Sequence, residues 1–226
     1  ADYVFVTRPK LECTYGVAKM LQRGQTISGD SFGTRRLEQG VFVMALSDGM
    51  GSGRQAHEES DTVVSLFLQF AEAGFTIDMA LRLMNAAMIF GAEAERFSTL
   101  DACLVDEYTG IVDCYKVGAH VSFVRHKRRT EVIEADSLPM GASASLEALP
   151  FRSYLEAGDY LVLVTDGVLE YLQVEDAVEM LRQLIEELAD TDAVTFARKI
   201  IERVLLFTGG TAADDMTVLV LKALER

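Results

Sequence analysis

Four aspartates carry the chemistry this chain can offer, and they lie far apart in sequence. They are Asp30 in Ser28-Gly29-Asp30-Ser31, Asp48 in Asp48-Gly49-Met50-Gly51-Ser52-Gly53, Asp166 in Thr165-Asp166-Gly167, and Asp214 in Asp214-Asp215-Met216-Thr217. Three of the four follow or open an apolar, β-rich run, which collects carboxylates from separate strand ends at one place. Carboxylates packed together repel one another unless a multivalent cation neutralises them. Gly49, Gly51 and Gly53 free the backbone beside Asp48 and let a carbonyl oxygen approach an ion. An oxygen-lined site for two Mg²⁺ or Mn²⁺ ions is therefore expected. Singly, each Asp-Gly pair is as well read as a turn; the recurrence of the pattern favours the metal site.

Strands must position these acids. Val41-Phe42-Val43-Met44-Ala45-Leu46 is a continuous apolar run ending in Ser47-Asp48, and Tyr160-Leu161-Val162-Leu163-Val164 ends in Thr165-Asp166. Near the C-terminus the order reverses, with Asp214 and Asp215 ahead of Met216-Thr217-Val218-Leu219-Val220-Leu221. Two strand-then-acid units and one acid-then-strand unit suit an antiparallel arrangement with the acids along one rim. Further strands are expected near Glu12–Leu21, Ile27–Leu37, Leu100–Asp106, Ile111–Val117, Ser122–Arg125, Glu131–Ala135 and Phe151–Leu155, and the last one over Met216–Lys222. Amphipathic spacing predicts a helix over Ala56–Ala73, with Val63, Leu66, Phe67 and Phe70 on one side, and another over Asp78–Ala92, with Leu81, Met84, Met88 and Ile89 inward. Two more are predicted over Val174–Leu188 and Asp192–Phe207, the latter capped by Asp190 or Thr191 and closed by Gly209-Gly210. Met79, Met84 and Met88 read as core packing, the alternative being a soft surface that could repack in regulation. The fold class is α+β, two stacked antiparallel β-sheets flanked by α-helices.

The order and wording of the Asp motifs resemble the metal-dependent protein serine/threonine phosphatases, the type 2C-like family, from about Gly16 to Leu221. Within it the chain is most similar to phosphatase domains of the stage II sporulation protein E type. That narrower match rests on Ser28-Gly29-Asp30-Ser31-Phe32, the stretch from Ser47 to Ala56, Ser98-Thr99-Leu100-Asp101, Lys116-Val117-Gly118, Ser122-Phe123, Leu138-Pro139-Met140-Gly141 and Asp214-Asp215-Met216-Thr217. The resemblance implies the four-layer αββα phosphatase sandwich. It implies two ions, Mn²⁺ or Mg²⁺, and a metal-bridging hydroxide that attacks phosphoserine or phosphothreonine on a protein. It assigns Asp48 to bridge both ions, the Gly49 carbonyl to one, and Asp166 and Asp214 to the other. Asp30 is assigned to the ion on the Gly49 side, directly or through water. Asp215 stands where an Asn is common and is expected to orient Asp214 or bound water, or to ligate itself. The helix pair after Asp48 is marked as a candidate switch between metal-poor and metal-loaded states. The implied substrate is a phosphorylated anti-sigma-factor antagonist in sporulation signalling. Two alternatives stand beside it: a stress-signalling phosphatase of the same fold, and an inactive phosphatase fold used as a binding module. The retained acids argue against the last.

Met50 departs from the family pattern, because many eukaryotic relatives place a His there as general acid. Methionine cannot donate a proton. His57 is a candidate replacement, but it reads better as a residue of the following helix. His120 and His126 read as loop or strand-surface residues, and three His without His-x-x-x-His spacing argue against a zinc site.

Composition bounds the rest. With 226 residues, half of them hydrophobic, the chain can bury a large core as a single phosphatase domain over 1–226. The net charge of −14 disfavours nucleic acid and anionic membrane as partners. The Lys127-Arg128-Arg129 cluster reads as a hairpin turn. Cys13, Cys103 and Cys114 read as reduced core residues, hence a cytoplasmic domain. The strand-like opening at Ala1 suggests the C-terminal part of a longer protein, which the resemblance implies is attached to the cell membrane, with no membrane contact by this part. A homodimer is left open.

Overall fold

Apolar runs without polar alternation become antiparallel strands here because both of their faces are covered. The computed structural model describes residues 8–226 except 92–96, 120, 128, 147–148, 173, 175, 208–211 and 213. Ala92, His120, Arg128, Gly209 and Gly210 thus lie outside the described residues. In chain order the elements are β1 (Leu11–Met20), β2 (Asp30–Arg36), β3 (Val41–Asp48), α1 (Arg54–Glu72), α2 (Ile77–Gly91), β4 (Leu100–Asp106), β5 (Ile111–Val117) and β6 (Val121–Arg125). They continue with β7 (Thr130–Glu134), β8 (Phe151–Tyr154), β9 (Tyr160–Val164), α3 (Asp166–Glu170), α4 (Ala177–Glu187), α5 (Ala193–Phe207) and β10 (Met216–Glu225).

The strands form two five-stranded antiparallel sheets, ordered β1-β10-β9-β6-β7 and β2-β3-β4-β5-β8. Phe42, Met44 and Leu46 of β3 meet Leu161 and Leu163 of β9 and Leu219 and Leu221 of β10 between the sheets. The alternate residues face outward: Val43 and Ala45 pack on Val63, Val64 and Phe67 of α1 and on Leu81 and Met84 of α2. Tyr160, Val162 and Val164 pack under α3, α4 and α5. The result is the expected four-layer sandwich, with the central strands β3 and β9 covered on both faces. Among the described residues no helix is long and apolar enough to cross a membrane.

Several local expectations are corrected. β2 begins at Asp30 rather than Ile27, because the Gly29 N–H is taken by Asp215 Oδ2 (2.7 Å) and the Asp30 N–H by Ser28 Oγ (3.1 Å). β10 runs on to Glu225 because β1 pairs with it from Leu11 to Met20. Asp192 caps α5 through the Thr195 N–H (2.9 Å). Asp190 is engaged instead by Arg125 (2.6 Å), and the Thr191 carbonyl by the Tyr160 hydroxyl (2.6 Å). α4 starts at Ala177, where the Asp176 side chain accepts the Glu179 N–H. The short α3 escapes periodicity altogether. Met84 is buried as expected, but Met79 is 53% exposed. His126 lies in the loop after β6, as expected, but its ring is largely buried beside Tyr154, with Nδ1 2.8 Å from Asp159 Oδ2. The cysteines are free and buried, and burial pushes the Cys13 thiol up to about 12, so it stays protonated.

Candidate active site

The two sheets deliver the acids from opposite sides of one rim. Asp30 opens β2 and Asp48 closes β3, and the two are direct partners in the antiparallel register. From the other sheet, Thr165 leaves β9 and Asp166 begins α3, while Asp214 and Asp215 lead into β10, the neighbour of β9. Gly167 lets these two segments close on each other: a Cβ there would stand 2.1 Å from the Asp215 carbonyl oxygen. Gly49 does the same for α1, since its Cβ would stand 2.0 Å from the Ala56 carbonyl oxygen. The loop carrying Asp48 is therefore pressed directly against the first turn of α1.

Each acid is held by its surroundings. Asp30 is buried, and its Oδ2 accepts hydrogen bonds from Thr217 Oγ1 (2.5 Å) and Thr165 Oγ1 (3.1 Å) of the opposite sheet. Its Oδ1 is buried without a hydrogen-bond partner among the described residues. Lys19 Nζ donates to the Asp30 carbonyl (2.7 Å). The Asp48 N–H donates to Thr99 Oγ1 (2.9 Å), and its carbonyl accepts from Ser98 Oγ (2.8 Å) and the Thr99 N–H (2.9 Å). Asp166 Oδ1 accepts the Gly167 N–H and Asp214 Oδ1 accepts the Asp215 N–H, both at 2.8 Å.

The electrostatics record acids in one another's field. Burial, then the charges of Asp30 and Asp166, push the Asp48 carboxyl up to about 9. Burial pushes Asp30 up to about 6, against the pull of its two threonine hydroxyls and Lys19. Asp214 is also raised, first by burial, with Asp166 and Asp215 adding to it. The acids act on one another in a chain, Asp30 and Asp166 on Asp48 and Asp166 on Asp214; among the described residues no group of three His, Cys, Asp or Glu side chains is already arranged to hold a metal ion. Such a chain fits a hard divalent cation that keeps several of its waters. The all-oxygen donors and the mutual repulsion both favour added positive charge.

Asp215 behaves otherwise than expected. Both of its carboxylate oxygens are used by backbone donors, Oδ1 by the Gln22 N–H (2.8 Å) and Oδ2 by the Gly29 N–H (2.7 Å). It clamps the β1–β2 connection beside Asp30, and its link to Asp214 runs through its own N–H. His57 sits in the first turn of α1 with Nδ1 3.3 Å from Ser31 Oγ, and Met50 is exposed. Thr165, Thr217, Thr99 and Lys19 were not singled out from sequence as supports; the first two adjoin Asp motifs, which is the signal available for them.

A family model described as stage II sporulation protein E (SpoIIE) matches residues 38–224. The chain belongs to this family. It is 34% identical over 208 residues to the stage II sporulation protein E of Priestia megaterium, covering 92% of this chain and 36% of that protein. It is 33% identical over 200 residues to the phosphoserine phosphatase RsbU of Bacillus subtilis (strain 168), covering 87% and 59%. The chain thus spans about a third to three fifths of the length of these relatives. Among solved structures, it superposes on the PP2C phosphatase domain with a fragment of the regulatory domain of SpoIIE from Bacillus subtilis with a TM-score of 0.90, at 28% identity and covering 97% and 65% of the two chains. RsbX, solved in complex with magnesium, shares the fold with a TM-score of 0.71 at 18% identity, covering 96% and 100%. This member of the SpoIIE family has the fold of the PP2C phosphatase domain of SpoIIE.

Proposed function

We propose that this domain removes phosphate from phosphoserine or phosphothreonine on an anti-sigma-factor antagonist protein, using two divalent cations, Mn²⁺ or Mg²⁺. The observation that carries the reading is the chain of four acids across both sheets, with Asp48 at its centre and its carboxyl pushed furthest up. Asp48 would face both ions, the Gly49 carbonyl and Asp30 one of them, and Asp166 and Asp214 the other. Bound divalent cations supply an acidified water as nucleophile and neutralise charge on the phosphoryl oxygens. The chain's part is to hold that site still. Thr165 and Thr217 orient Asp30, Ser98 and Thr99 fix the backbone of Asp48, and Asp215 fixes the segment before Asp30. The Met50 side chain has no proton to give the leaving oxygen, which in this reading leaves that proton to water. The acidic surface, with its net charge of −14, suits a protein substrate better than a nucleic acid.

Phosphate release from a panel of serine-phosphorylated antagonist proteins, beside a phosphotyrosine peptide, tests this. Mn²⁺-dependent release from an antagonist supports the reading. A folded domain that releases phosphate from no phosphoprotein at saturating Mn²⁺ would instead favour a binding module.

A further inference from the structure

Two stretches, Ser98-Thr99-Leu100-Asp101 and Lys116-Val117-Gly118, meet in a buried ion pair just beneath the acid chain. Lys116 Nζ lies 2.7 Å from Asp101 Oδ2, with side chains 0% and 2% exposed. Lys116 Nζ also lies 2.8 Å from Ser122 Oγ, and the Ser122 hydroxyl donates to the same Asp101 oxygen. Desolvation of so dry a pair offsets its attraction, and apolar residues of similar volume often serve stability as well or better. Stability is therefore a poor reason for its presence.

Its placement supplies a better one. Asp101 and Lys116 face each other on β4 and β5, while Ser122 lies on β6 in the other sheet, so the triad ties the two sheets together. On one side Asp101 is opposite Leu46, two residues from Asp48, and Ser98 and Thr99 at the head of the same strand grip the Asp48 backbone. On the other, Ser122 is opposite Leu163, three residues from Asp166. Asp48, Thr99, Asp101, Thr165 and Asp166 line one cavity of about 20 Å³ between the sheets. The bonds from Thr165 and Thr217 to Asp30 form a second tie across the sandwich, so Asp48 and Asp166 are held between two polar ties.

We propose that Lys116, Asp101 and Ser122 are positioning residues that set the separation of Asp48 from Asp166, and with it the affinity of the site for divalent cations. This rests on the two-cation reading above. Loss of a residue that supports a metal ligand from behind typically weakens metal binding by about 10–100-fold.

Calorimetric titration with Mn²⁺ alone, paired with Tm in chelator, tests it in four proteins: wild type, Ser122→Ala, Ser122→Thr, and the double variant Asp101→Leu/Lys116→Met. Wild type is expected to bind Mn²⁺, Ser122→Ala and the double variant at least about 10-fold more weakly, and Ser122→Thr close to wild type because it keeps the hydroxyl. The double variant should keep or raise its metal-free Tm while losing affinity, a combination that a merely structural role does not produce. Wild-type affinity in folded Ser122→Ala and in the double variant overturns the positioning role. If the double variant does not fold, the comparison of Ser122→Ala with Ser122→Thr decides, equal affinities overturning the proposal. No Mn²⁺ binding by wild type would sink the two-cation reading itself.

Discussion

Replacing Asp48 with Asn should stabilise the metal-free domain while abolishing its response to metal. The Asp48 carboxyl is pushed from its ordinary 3.8 up to about 9 by burial and by Asp30 and Asp166. A carboxyl whose folded value lies above its unfolded value favours folding below the unfolded value and loses that advantage as pH rises through the folded one. At pH 7 the unfolded chain gains about 4 kcal/mol by ionising this group, which the metal-free fold forgoes. Asn has the same shape and nothing to ionise. Allowing for relaxation around the site, Asp48→Asn should gain about 2–4 kcal/mol at pH 7 and almost nothing at pH 4, or about 4–16 °C in Tm for a chain of this size. The assay is Tm in chelator across pH 4–8, then with Mn²⁺ added. Mn²⁺ should raise the Tm of wild type by mass action and leave the variant unmoved. A variant no more stable than wild type at pH 7, or equally stabilised at pH 4, would refute the reasoning.

Three further substitutions probe the supports. Thr217→Val keeps the shape but removes the shorter bond to Asp30 Oδ2, and should cost about 1.5–3 kcal/mol in denaturant unfolding while weakening Mn²⁺ activation; unchanged stability would show that the bond contributes nothing. Asp215→Asn leaves one acceptor for two backbone donors, so either the Gln22 or the Gly29 N–H is left unpaired, and a loss of about 1–3 kcal/mol is expected by the same measurement. Gly49→Ala drives a methyl against the Ala56 carbonyl oxygen, with no flexible side chain to give way. Turnover at saturating Mn²⁺ should fall at least about 10-fold as Asp48 is displaced, and wild-type turnover would contradict the close packing of this loop on α1.

Much of the fold was legible because the inner strands are covered on both faces. Val41–Leu46 and Tyr160–Val164 need no alternation to be recognised, and each ends in the acid it positions. What escaped depends on partners far away in sequence. The threonine bonds to Asp30 join residues 135 and 187 positions apart, and although both threonines adjoin Asp motifs, nothing local says which acid they hold. The role of Asp215 required knowing that the β1–β2 connection passes over it, and the burial of His126 required Asp159. Asp101 and Lys116 were visible as parts of family motifs, but their pairing follows from the β4–β5 register. α3 has five residues, too few for a helical period to show, and α5 is capped by Asp192 rather than Asp190 or Thr191 because those two are drawn off by Arg125 and Tyr160.

The most direct test of the central claim is Mn²⁺-dependent phosphate release from a phosphoserine protein by wild type, Asp48→Ala and Asp214→Ala, the two variants drawing one acid from each sheet. Metal-dependent turnover by wild type, lost in both variants while they remain folded, is the predicted result. Turnover that survives in either variant, or that wild type sustains equally in chelator, would contradict the assignment of these acids to a shared metal site.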